Sequence, residues 1–154
     1  MSDIPLLSNY DLMELADKYK LNVNNVLLQE EFIHIKPKDG AYIVLINDGT
    51  GATGHWTAFI LRNKVCLYFD SFAVVPSMPI IRFLRKGNYK IYCNNNDIQN
   101  YKSVTCGFYC LAFLHFMKHT KHPLHLAMSQ FTRLFKNDTR DNDGILQAYI
   151  KHNF

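Results

Sequence analysis

The sequence predicts an α+β domain in which a mostly antiparallel sheet packs on one central, buried helix. Three observations predict it. Residues 106–119 form a long helical run with an almost wholly apolar surface, and a helix that is apolar all round belongs in a core. Residues 41–46, 55–61 and 65–69 are short runs rich in β-branched and aromatic side chains, the pattern of buried strands. Helical spacing reappears towards both ends of the chain, so helices and strands are segregated and do not alternate strictly.

The elements follow in order. Ser8-Asn9-Tyr10-Asp11 reads as a helix cap, with Leu12, Leu15, Ala16 and Tyr19 at helical spacing behind it. Residues 22–25 read as a break. Residues 41–46 read as a buried strand, and the glycines of Asp48-Gly49-Thr50-Gly51-Ala52-Thr53-Gly54 mark a loop. Residues 55–61 and 65–69 then make a hairpin turning at Arg62-Asn63-Lys64. His55 begins its first strand and Asp70 ends its second. In an antiparallel pair the first residue of one strand meets the last of the other, so the two are expected side by side. Residues 79–86 read as a short helix and 89–93 as another strand. The central helix begins at Cys106, and residues 123–135 and 143–152 read as two closing helices.

A chain of 154 residues is one domain, 1–154, by size, and is long enough to bury a core without disulfides. Its four cysteines, Cys66, Cys93, Cys106 and Cys110, form no CxxC pair, which argues against a secreted disulfide scaffold. The first residues lack the basic start and apolar core of a signal peptide. The run from Gly107 to Met117 is broken by His115 and is too short to span a bilayer. A soluble monomer in a reducing compartment, with no membrane partner, is expected. The net charge of +4 is too small for a dedicated nucleic-acid binder. Basic residues do bunch, at Arg82, Arg85, Lys86 and Lys90, at Lys118 and Lys121, and at Arg133, Lys136 and Arg140; each group suits a solvated helix face or a polyanion-binding surface. Cys106, Cys110, His115, His119, His122 and His125 lie close in sequence but without zinc-ligand spacing, so no metal is expected.

The chemistry lies in Thr105-Cys106-Gly107-Phe108, where an irregular polar segment becomes the apolar helix. A thiol at a helix start meets unpaired N–H groups and the positive end of the dipole, both of which favour the thiolate. Gly54-His55-Trp56, Phe69-Asp70-Ser71-Phe72 and Ile98-Gln99-Asn100 precede it. Acyl transfer by a thiol needs a nucleophile, a base, a group that orients the base, and oxyanion donors. Cys106, His55, Asp70 and Gln99 supply these in turn, with Asp70 accepting from the far ring nitrogen of His55. Gly107 is expected to let substrate approach the helix start. Trp56 fits either a narrow substrate wall or the core. Cys66 and Cys110 read as core residues.

In these segments the chain resembles the adenovirus maturation protease family, the adenains. It is similar, more distantly, to the SUMO- and ubiquitin-like-protein-specific proteases. Both run His, acid, Gln, Cys along the chain with a tryptophan after the histidine, and the likeness is clearest over residues 40–120. The resemblance implies a circularly permuted papain-like core. It assigns His55 as base, Asp70 as acid, Gln99 as oxyanion-hole amide and Cys106 as nucleophile. Adenain has glutamate as its acid; the aspartate here is as in the SUMO-protease branch. By the same resemblance the substrate is a viral capsid or core precursor, cut after small residues such as glycine, in the infected cell and the assembling virion. No cofactor is required for the chemistry, and activation by DNA or by a viral peptide is implied. In adenain that peptide is disulfide-linked; the spacing around Cys93 differs, and the role is not assigned to it. The other readings are an isopeptidase for a ubiquitin-like modifier and a non-enzymatic DNA-associated capsid protein.

Overall fold

The computed structural model describes residues 7–46, 54–101 and 103–154. Five strands form one sheet in the order β1-β2-β3-β4-β5, so spatial order follows chain order. They are β1 (Val23–Leu28), β2 (Gly40–Ile46), β3 (His55–Arg62), β4 (Val65–Phe69) and β5 (Lys90–Cys93). The helices are α1 (Asn9–Lys18), α2 (Met78–Lys86), α3 (Cys106–His119), α4 (Leu124–Thr132) and α5 (Asn142–Asn153).

Strand alternation builds two cores, one on each face of the sheet. Ile43, Ala58, Ile60, Leu67 and Phe69 face α3 and its neighbouring helices. Tyr42, Val44, Phe59, Leu61 and Tyr68 face α2 and the short 3-10 helix Gln29–His34. Phe113 of α3 stacks on Phe69 with ring centroids 4.9 Å apart. Apart from its C-terminal turn, α3 is almost wholly buried, as its composition requires. It is therefore a fixed platform for whatever its first residue does.

The β3–β4 turn is as expected. Asn63 and Lys64 both have positive φ, 51° and 65°, the backbone of a two-residue hairpin whose twist matches its strands. The sheet itself is less antiparallel than expected. β2–β3 and β3–β4 are antiparallel, but β1–β2 and β4–β5 are parallel. Parallel neighbours need a crossover, and here the 3-10 helix and α2 provide the two crossovers.

The expected break at 22–25 is also corrected, because β1 starts inside it. Asn24 and Asn25 are poor strand formers, but β1 is an edge strand with an irregular register between Val23 and Asn25. The predicted loop at 48–54 lies, apart from Gly54, outside the described residues.

Candidate active site

The site gathers where β3 begins, β4 ends and α3 starts. His55 Nε2 and Asp70 Oδ1 are 2.7 Å apart. Both side chains leave the same face of the sheet, but they are not directly opposed. Ala58 pairs with Phe69, so one further step sets Thr57 against Asp70 and leaves His55 a diagonal neighbour. The expected side-by-side placement is corrected in this respect: β3 is three residues longer than β4 and overhangs it.

Asp70 is buried and its carboxylate is doubly engaged. Oδ1 also accepts the Phe72 N–H at 2.7 Å, and the Phe72 ring stacks on the His55 imidazole at 4.6 Å. With Nε2 committed to Asp70, Nδ1 is the ring nitrogen left for a second partner. Cys106 acts on the same imidazole through hydrogen bonding and charge. Burial alone would push His55 down; the Asp70 carboxylate and the Cys106 sulfur outweigh it and raise the imidazole to about 9. At neutral pH the site therefore holds a cation beside a sulfur.

Cys106 opens α3 and is buried to 4% exposure. Its Sγ accepts the backbone N–H of Trp56 at 3.4 Å, so strand β3 holds the sulfur as well as carrying His55. Burial pushes the thiols of Cys66, Cys93 and Cys110 up, which keeps all three neutral at pH 7. All four cysteines are free.

Gln99 is buried and held at both ends of its amide. Oε1 accepts from Ser71 Oγ at 2.5 Å, and Nε2 donates to the Ser103 carbonyl at 3.0 Å. This leaves Nε2 a second hydrogen to donate. The backbone N–H groups of Ile98 and Gln99 both donate to the Ser71 carbonyl. The loop carrying Asp70 and the loop carrying Gln99 are thus stitched together through Ser71. The structure joins His55, Asp70 and Cys106 directly, and Gln99 through that seam.

Two expectations change. Gly107 does not face open space: a Cβ there would lie 3.2 Å from Leu7 Cδ1 and 3.4 Å from Leu12 Cδ2. Its bare Cα admits the N-terminal segment, not substrate. Trp56 is a core residue whose indole N–H donates to the Leu7 carbonyl at 2.9 Å. It also lines a groove of about 340 Å³ with Leu7, Val26, Leu28, Leu45 and Gly54. The core reading holds.

Sequence reasoning missed Asn94, whose buried side chain bonds both backbone groups of Asp70. The run Asn94-Asn95-Asn96 was the available signal, since asparagine side chains readily bond nearby backbone. It also missed Asp143, which accepts from Thr105 Oγ1 and Tyr109 OH and ties α5 to the start of α3. Among the described residues no group of three or more His, Cys, Asp or Glu side chains is placed to hold a metal ion. No helix among them is long and apolar enough to cross a membrane.

No protein-family model matches the sequence, and no curated protein matches it. Solved structures do. A crystal structure of the African swine fever virus (ASFV) pS273R protease superposes with a TM-score of 0.62 at 17% identity, over 97% of this chain and 67% of that one. Its selenomethionine form gives 0.60 at 18% identity, over 97% and 68%. The SUMO protease Ulp1, with its catalytic cysteine oxidised to a sulfinic acid, gives 0.46 at 15% identity, over 97% and 81%. At these identities the pS273R likeness is one of fold, and the expected α+β protease-type fold is borne out.

Proposed function

We propose that this chain is a cysteine endopeptidase built on the fold it shares with the ASFV pS273R protease. The observation that carries the reading is the continuous contact from Asp70 through His55 to Cys106 at the start of a buried helix. The His55 cation pairs with a Cys106 thiolate. That thiolate attacks the substrate carbonyl carbon, and the oxyanion is met by the Cys106 N–H and the free hydrogen of Gln99 Nε2. The first N–H groups of a helix lack intrahelical acceptors, so the Cys106 N–H is available for this. As the C–N bond breaks, His55 gives its proton to the leaving amine. It then takes a proton from the water that hydrolyses the thioester.

The substrate we propose is a viral capsid or core precursor protein, cut after a small residue such as glycine. Two things support it: the fold shared with a viral protease, and a groove lined by Trp56, whose backbone N–H meets the Cys106 sulfur. The enzyme acts as a monomer, in the host cell and the assembling virion. It needs no cofactor for the chemistry and is activated by DNA or by a viral peptide.

Co-expression with the candidate precursor tests the reading. Wild type should make one defined cut, read by intact mass and the new terminus. Cys106→Ala and His55→Ala should make none while remaining folded. Cleavage by Cys106→Ala would remove the assignment. Gln99→Ala should lower turnover by about 10²-fold, the usual effect of losing one oxyanion donor; a wild-type rate would place the oxyanion elsewhere.

A further inference from the structure

The β4–β5 ladder runs in parallel from Val65 and Lys90 to Tyr68 and Cys93. β4 ends at Phe69 and β5 at Cys93, so on its β5 side Asp70 has no strand to pair with. The next residue of the other strand, Asn94, takes over with its side chain. Asn94 Oδ1 accepts the Asp70 N–H at 3.0 Å, and Asn94 Nδ2 donates to the Asp70 carbonyl at 2.7 Å. A carboxamide carries the same donor and acceptor as a peptide group. We propose that Asn94 is the positioning residue for the acid: its amide adds one rung to the sheet and holds Asp70 where its carboxylate meets His55.

Both residues are buried, Asn94 at 5% and Asp70 at 2% exposure. At that burial bulk solvent does not reach the broken pair, and an orphaned buried donor is costly. Ala73 N–H also reaches the Asp70 carbonyl; the Asp70 N–H is the group that Asn94 serves as acceptor. Pinning both backbone groups fixes the direction of a short side chain with one rotatable bond before its carboxyl group. Nδ2 also donates to the Asn96 carbonyl at 3.2 Å, so the amide cannot flip without losing three bonds. The catalytic consequence rests on the protease reading above, whereas the Asp70–His55 contact is a matter of geometry.

The test follows the His55 ring by NMR across pH, together with the rate at which iodoacetamide alkylates Cys106. It compares wild type, Asn94→Ala, Asn94→Gln and Asn142→Ala. Asn94→Gln keeps the amide but displaces it by one methylene, and it decides the matter should Asn94→Ala not fold. Asn142 is the structural control: it is buried and bonds Ile98 and Lys136 but not Asp70. In the Asn94 variants the His55 midpoint should fall by about 1 pH unit, as expected when a carboxylate partner is displaced. Asn142→Ala should lower Tm and leave the midpoint unmoved. A folded Asn94 variant with the wild-type midpoint overturns the proposal, as does an equal shift in Asn142→Ala. A wild-type Cys106 inert to iodoacetamide counts against the protease reading instead, and leaves the His55 midpoints to decide on Asn94.

Discussion

His55 is where burial and charge compete, and charge wins. Its folded value, about 9 against an ordinary 6.5, lies above the unfolded one. The stability it contributes is therefore complete below about pH 6.5 and lost as pH rises through 9. The gap corresponds to about 3 kcal/mol at most. Denaturant melts of wild type should lose stability across that window, and Asp70→Asn should flatten the loss. Activity should fall over the same alkaline limb, and the limb should move to lower pH in Asp70→Asn. That variant should retain more activity than His55→Ala, because it keeps the base and loses only the carboxylate that orients it. An unchanged limb would detach Asp70 from the chemistry. The contact of His55, Asp70 and Cys106 was legible in the sequence from their order and context, since none of the three is specific alone. Asn94 was not, because what it does depends on β4 stopping one residue short.

Elements were legible where local chemistry decides them. Ser8 caps α1 reciprocally with Asp11: the Asp11 N–H donates to Ser8 Oγ at 3.1 Å, and the Ser8 N–H to Asp11 Oδ2 at 2.9 Å. Ser8→Ala should cost about 1 kcal/mol, read from the denaturation midpoint; no change would mean that packing of Leu12 and Ala16 alone holds the helix. The start of α3 was visible because a polar segment gives way abruptly to an apolar one. β1 and the parallel pairings were not, for one shared reason. An edge strand with a bulge tolerates asparagine, and whether a strand joins its neighbour in parallel is set by the crossover between them. Neither leaves a periodic mark in six residues.

Across the whole molecule, the two-sided sheet gives α3 a rigid seat, while charge is spread over separate surfaces. Arg82, Arg85 and Lys86 are exposed on α2, and Lys118 and Lys121 are exposed near the end of α3. Arg140 is paired with Asp138 at 2.5 Å. Activation by DNA through these groups would depend on counterion release. Turnover should rise with added DNA at low salt and return to its basal value at high salt, where screening is short-ranged; unchanged turnover at low salt would remove DNA from the proposal. One further consequence follows from where β3, α3 and the N-terminal segment meet. Trp56 is the single tryptophan of the sequence. Its backbone N–H touches the Cys106 sulfur and its indole N–H is held by the Leu7 carbonyl. The chain thus carries its own optical probe at the thiol. Excited at the red edge, its emission comes from this residue alone, and it should change colour or brightness when the sulfur is acylated or when Leu7 undocks.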